Sequence, residues 1–174
     1  MDLAELKAKI REIKDFPTEG VLFKDITTLL REPKAFKYVV DELATHYLQS
    51  RVEVIVAIES RGFLFGGALA HELGAGLVPV RKLGKLPAKT IEVEYELEYG
   101  RDALAIHADA IAPGQRVLVV DDLLATGGTM AATLRLVEQL GGGVVGVTFL
   151  IELAFLKGRG KLKGKDIHSL IIYE

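Results

Sequence analysis

Short β-branched runs that alternate with helix-length segments restrict this 174-residue chain to a parallel sheet covered on both faces. The run "VEVIVAI" (Val52 to Ile58) predicts a strand, "ESRG" a polar turn, and Phe63 to Leu73 a helix. "GLVPVRK" (Gly76 to Lys82) predicts a second strand, and "RVLVVDD" (Arg116 to Asp122) a third, with a helix from about Gly128 to Leu140 behind it. A Gly141-Gly142-Gly143 break then opens "VVGVTFLIEL", a fourth strand, and "HSLIIYE" predicts one more, peripheral, strand at the C-terminus. The fold class is therefore α/β, an open, mainly parallel sheet with helices on both faces.

The flanking segments are less regular. Leu3, Leu6, Ile10 and Ile13 recur at helical spacing and predict one amphipathic helix that stops near Phe16-Pro17. Phe16 to Leu30 lacks a clear period, with a short extended piece at Val21 to Phe23. A further helix covers Pro33 to Leu48, burying Phe36, Val39, Val40, Leu43 and Tyr47. Leu83 to Ala112 is too long for a plain connection, and its "TIEVEYELEYG" portion alternates apolar and charged residues as a solvent-facing hairpin arm does.

Composition excludes several functions. The absence of cysteine rules out disulfides, thiolate metal sites and cysteine nucleophiles, and His46, His71, His107 and His168 lack metal-ligand spacing. A net charge of −2 supplies no field for nucleic acid or an anionic membrane. No segment has the length and apolarity of a membrane span or signal peptide, so the chain reads as cytoplasmic.

Chemistry concentrates in "VLVVDDLLATGGTM" (Val117 to Met130), where two acids precede a small, polar loop that opens a helix. Small residues let backbone N–H groups turn towards an anion, and the helix start adds partial positive charge. The loop is neither GxxxxGK[ST] nor GxGxxG, so triphosphate hydrolysis and dinucleotide binding lose ground. Asp121 and Asp122 suit a ribose diol, with a 5′-phosphate one loop further on at Ala125, Thr126, Gly127, Gly128 and Thr129. Preplaced carboxylates also stabilise the positive charge that develops when an anomeric bond breaks.

This strand, acid pair and Thr/Gly loop resemble the hallmark of the type I phosphoribosyltransferases. "FPTEGVLFKDIT", "AIESRGFLFG", "VRKLGKLPAKT…YELEYG" and "IELAFLKGRGKL" are similar to that family's adenine-specific branch along nearly the whole chain. The resemblance implies one phosphoribosyltransferase domain, with residues 1–30 and the C-terminal strand contributing to a hood and residues 83–102 forming a flexible loop. It implies Mg²⁺-dependent transfer of ribose 5-phosphate from phosphoribosyl pyrophosphate to adenine, giving AMP and pyrophosphate in purine salvage, by a homodimer. The ion is expected to be held mainly by substrate and water.

Residue roles follow by the same resemblance. Arg61, Ser60, Lys82 and Lys85 should meet the pyrophosphate, and Glu98 should act as general acid/base with Tyr99 closing over the site. Leu22, Phe23 and Lys24 should receive adenine, Phe23 by stacking and the other two through their backbones. The Glu59–Ser60 peptide should be cis, and Glu59 itself stands where an aspartate is more usual. A sister enzyme for guanine, xanthine or orotate is disfavoured by the N-terminal "FPTEGVLFKDI", and a non-catalytic regulator by the retained "LEYG" and the lack of a DNA-binding segment.

Overall fold

In the parallel strands, alternate residues point to opposite faces, and both sets are apolar. The computed structural model describes residues 1–97 and 100–174. Strand β3 (Val54–Ile58) lies at the centre, with α4 (Gly62–Leu73) following it and β4 (Gly76–Lys82) returning parallel beside it. Before these come α1 (Leu3–Lys7), the antiparallel pair β1 (Arg11–Lys14) and β2 (Leu22–Asp25), α2 (Thr27–Leu30) and α3 (Pro33–Tyr47). After β4 come the hairpin β5 (Thr90–Leu97) and β6 (Gly100–His107), then β7 (Arg116–Leu124), α5 (Gly128–Gln139), β8 (Gly143–Leu153) and β9 (Ile167–Tyr173). The main sheet has seven strands in the order β5-β6-β4-β3-β7-β8-β9.

Val54, Val56, Val117 and Val119 pack with Met130, Leu134 and Val137 of α5 on one face, whereas Ile55, Leu118 and Val120 pack with Val39 and Leu43 of α3 and Phe65 and Leu69 of α4 on the other. Each such side chain, fully buried, contributes roughly 1.5–3 kcal/mol, so this two-sided core and not the peripheral hairpins holds the fold. The predicted strands and the helices over Pro33 to Leu48, Phe63 to Leu73 and Gly128 to Leu140 are present, with ends shifted by a few residues.

The N-terminal helix is shorter than its periodicity predicts. Asp2 and Glu5 form a reciprocal capping box that starts α1, but the chain leaves the helix after Lys7. Arg11 to Lys14 is instead a strand in which Arg11 lies opposite Asp25 and Glu12 opposite Lys24. Both opposed pairs are salt bridges, and cross-strand charge pairs of this kind favour the hairpin over helix continuation. The β5–β6 hairpin also differs from a solvent-facing arm. It joins the main sheet through β4, and Val93 and Tyr95 are buried on its inner face. β9 is an edge strand, and its Tyr173 ring lies under Lys7 and Lys24, which ties the C-terminus to the N-terminal hairpin. Among the described residues two peptides are cis, Phe16–Pro17 and Glu59–Ser60, the second as expected. Among the described residues no helix is long and apolar enough to cross a membrane.

Candidate active site

The strand order sets where a ligand must go. From β3 the chain crosses to β4 on one side, and from β7 to β8 on the other, so the order reverses between β3 and β7. In open parallel sheets a crevice forms beyond the carboxyl ends of strands at such a point. Here those ends carry Glu59-Ser60-Arg61 and Asp121-Asp122, with Ala57 paired to Val120 just below them. A cleft of about 510 Å³ opens there, lined by Ser60, Arg61, Lys82, Asp121, Asp122 and Thr129 among others.

Both acids line this cleft, although β7 does not end at Asp122 but continues to Leu124. Asp122 is 5% exposed and accepts a hydrogen bond of 2.6 Å from Arg61 Nε. The Arg61 guanidinium therefore balances its charge. Asp121 turns back, so that Oδ1 accepts the Asp122 amide at 2.8 Å. Burial, reinforced by the neighbouring Asp122 charge, pushes the Asp121 carboxyl well above the usual aspartate range. Gly62 makes room for this arrangement, since a Cβ there would lie 2.9 Å from Asp121 Oδ1 and 3.1 Å from the Val120 carbonyl.

Ala125 to Thr129 wrap a smaller hollow of about 70 Å³ beside Asp121. Gly127 is the residue before α5 and has φ +79°, the left-handed region that glycine enters without penalty. Among the described residues no side chain caps α5, so its first amides face the hollow with the helix dipole behind them. Such a helix start suits an anion.

The opposite wall carries paired charges. Glu59 accepts from Arg81 Nε at 3.1 Å and from the Lys82 amide at 3.1 Å, and the Arg81 guanidinium holds its carboxyl below the usual range. Lys82 Nζ reaches Asp102 Oδ2 at 3.0 Å, which raises the lysine and lowers the aspartate. Lys85 lies in the turn after β4, its carbonyl accepting from Arg81, and is not in the cleft wall. Ser60 is exposed at the cleft.

Leu22, Phe23 and Lys24 lie on β2, and Arg61 links Phe23 to the acids. Its guanidinium carbon lies 5.4 Å from the Phe23 ring centre while its Nε holds Asp122. Phe23 also meets Phe16 edge-on, whereas the buried Lys24 ammonium is taken by Glu12 and the Tyr173 ring. Only the backbone of Lys24 is thus left for a ligand. Glu98 and Tyr99 lie outside the described residues. Asp102, Tyr95 and Gly62 border the site without having been singled out from the sequence. Their partners are distant along the chain, and nothing local marks them.

Residues 26–169 match the phosphoribosyl transferase domain family. An adenine phosphoribosyltransferase of Alkaliphilus oremlandii is 59% identical over 170 residues, 98% of this chain and 99% of the relative. The crystal structure of an adenine phosphoribosyltransferase from Thermoanaerobacter pseudethanolicus is 57% identical, with a TM-score of 0.97 over 99% of this chain and 100% of that one. The Saccharomyces cerevisiae enzyme, solved with an imino-altritol bisphosphate and adenine, is 44% identical, with a TM-score of 0.92 over 97% of each chain. With the acid pair, the small hollow at the start of α5 and the switch-point cleft in place, the chain belongs to the phosphoribosyltransferase family, among the adenine phosphoribosyltransferases.

Proposed function

We propose that this protein transfers ribose 5-phosphate from phosphoribosyl pyrophosphate to adenine, forming AMP and releasing pyrophosphate. The observation that carries the reading is one run of adjoining hollows, since the cleft at Asp121-Asp122 and the Ala125–Thr129 hollow, the phosphate cradle, share Asp121 and Thr129. A ribose 5-phosphate laid along it has its hydroxyls at the acids and its phosphate at the start of α5. The anomeric carbon then faces the Ser60, Arg61 and Lys82 side, where the pyrophosphate belongs, with Lys85 reaching in from the turn beyond. Adenine stacks on Phe23, and the Leu22 and Lys24 backbones read its edge.

In the reaction adenine N9 forms the new bond to the anomeric carbon as the bond to the pyrophosphate oxygen breaks. Positive charge grows on the sugar ring, and the two carboxylates stabilise it. Arg61 has a double task, keeping Asp122 in place and bordering the departing anion. Glu98 takes the proton that the purine must lose, and Tyr99 helps cover the site. Glu98→Ala should accordingly lower kcat on the order of 10²-fold with little change in KM.

The residues present fit a divalent cation carried by the substrate. Glu59, Asp102 and Asp122 already hold cationic side chains, and among the described residues no cluster of three His, Cys, Asp or Glu converges. Hard oxygens are the ligands Mg²⁺ prefers, so substrate oxygens and water would hold it, with Asp121 as the neighbouring carboxylate on the protein's side. Bound there, Mg²⁺ would neutralise charge on the leaving pyrophosphate.

A homodimer follows from the same family reading and is supported by exposed Leu64 on α4 and Leu77 on β4. The test of function is pyrophosphate release with phosphoribosyl pyrophosphate and Mg²⁺, comparing adenine, guanine, hypoxanthine and xanthine. Adenine-only turnover is expected. Turnover on another base would remove the Leu22–Lys24 assignment, and binding without turnover on any base would make the protein a sensor of phosphoribosyl pyrophosphate.

A further inference from the structure

The phosphate cradle leans on a segment far along the chain. After β8 the backbone makes two short 3₁₀ turns, Ala154–Leu156 and Gly158–Lys161, before β9. Gly158 stands directly behind the cradle. A Cβ on Gly158 would lie 2.2 Å from the Ala125 carbonyl oxygen, and one on Gly127 would lie 2.5 Å from the Gly158 carbonyl oxygen. The two backbones are thus in contact without any side chain between them, and a small shift of Gly158 must move Ala125 and Gly127 with it.

Gly158 is itself held by its neighbour. Arg159 Nε and Nη2 donate to the two oxygens of Glu152 at 2.7 Å each, and Nη1 donates to the Ile167 carbonyl at 3.2 Å where β9 begins. Glu152 is 4% exposed and sits on β8 opposite Leu124, the residue before the cradle. The fork therefore ties the turn to β8 on one side and to β9 on the other. Lys157, next to Gly158, has φ +55°, a left-handed conformation that a non-glycine residue keeps only where its surroundings hold it. The Arg159 guanidinium keeps the Glu152 carboxyl below its usual range, so the pair is charged at neutral pH.

We propose that Glu152 and Arg159 are positioning residues for the 5′-phosphate, acting through Gly158 on the Ala125–Thr129 loop. The inference rests on the assignment of that loop as the phosphate cradle. Neither side chain lines the cleft, so neither touches substrate. Their effect is to set the spacing of the loop amides. Removing Arg159 would leave a buried carboxylate without its partner, and the turn that carries Gly158 would shift.

The test uses the full chain with Arg159→Ala, Arg159→Lys, Glu152→Gln and Gly158→Ala, the last crowding the loop while the ion pair stays. The measurements are KM for phosphoribosyl pyrophosphate, KM for adenine, ribose 5-phosphate binding by calorimetry, and thermal melting. Arg159→Ala and Gly158→Ala should each raise KM for phosphoribosyl pyrophosphate and weaken ribose 5-phosphate on the order of tenfold, with the adenine KM within about twofold. Arg159→Lys should recover part of the loss. A lower melting temperature with both KM values moving together, or with neither moving, would overturn the proposal by leaving the pair a purely structural role. If Arg159→Ala does not fold, Gly158→Ala and Glu152→Gln decide by the same ratio. Failure of the unaltered chain to bind ribose 5-phosphate would instead refute the cradle assignment.

Discussion

Asp121 works against the stability of the fold that presents it. Its carboxyl is raised by burial and by Asp122, so between its unfolded value of about 3.8 and its higher folded value the native state binds more protons than the unfolded one. Stability from this group accordingly falls as pH rises through that window, and the full cost is present above it. Asp121→Asn should therefore raise the melting temperature at pH 7. The gain should fade as pH falls through 3.8, below which the wild-type group becomes protonated in both states. The same variant should lose turnover, since a neutral amide stabilises the developing ring charge less well. A melting temperature that falls at pH 7 would show that Asp121 is held by favourable partners. That Asp121 lies beside the small-residue turn was legible in the sequence, because "DDLLATGGT" places both within one local segment. Gly62 was not, for its need arises only when the start of α4 meets Val120 and Asp121, nearly sixty positions away. Gly158 was hidden for the same reason, despite lying in a stretch that resembled the family.

Element by element, the parallel strands were the most legible part of the fold. A strand buried on both faces must be apolar throughout, and "VEVIVAI", "RVLVVDD" and "VVGVTFLIEL" have that character before any contact is known. The β1–β2 hairpin was missed, since Ile10 and Ile13 fit a helical period as well as they fit a strand edge, and the deciding partners stand on β2. Those partners make the hairpin sensitive to acid. Asp25 accepts from the Thr27 amide at 2.9 Å and from Arg11 Nε at 3.0 Å, and the Thr27 contacts, with Arg11 next, bring its carboxyl down to about 2. For a lowered carboxyl the stabilisation is complete above the unfolded value of 3.8 and is lost as pH falls from there to about 2. Asp25→Asn should thus cost about 2 kcal/mol in urea unfolding at pH 5, and the difference from wild type should shrink towards zero near pH 2. An undiminished gap at pH 2 would mean that the hydrogen-bonding shape of the side chain, and not its charge, holds the hairpin. Because β2 carries Phe23, the same substitution should raise the adenine KM before it touches that for phosphoribosyl pyrophosphate.

At the scale of the whole molecule, the site's geometry begins at α4, and exposed leucines lie on and beside that helix. Leu64 is 48% exposed, and Leu77 of β4, 47% exposed, lies against Gly66 and Gly67 of the same helix. Exposed leucines scattered singly need no explanation, but apolar residues grouped around one helix mark a surface that a partner can cover. A two-fold axis beside α4 would place the same helix of a second copy against it, and such isologous pairing is the commonest way identical chains assemble. The consequence for chemistry is direct, as Arg61 stands at the first turn of α4, holds Asp122 and lies against the Phe23 ring. A helix braced by a partner would hold Arg61 more firmly than one facing water. Sedimentation of the wild type should give about twice the 19.0 kDa chain mass. Leu64→Glu should bring two like charges together across the axis, shift the species to the single-chain mass at micromolar concentration, and keep the far-ultraviolet circular dichroism of the wild type. Its kcat should fall with it and recover as protein concentration is raised. A variant that sediments as the wild type does would move the contact away from α4, and a monomer with full kcat would show that Arg61 is held by Asp122 and Phe23 alone.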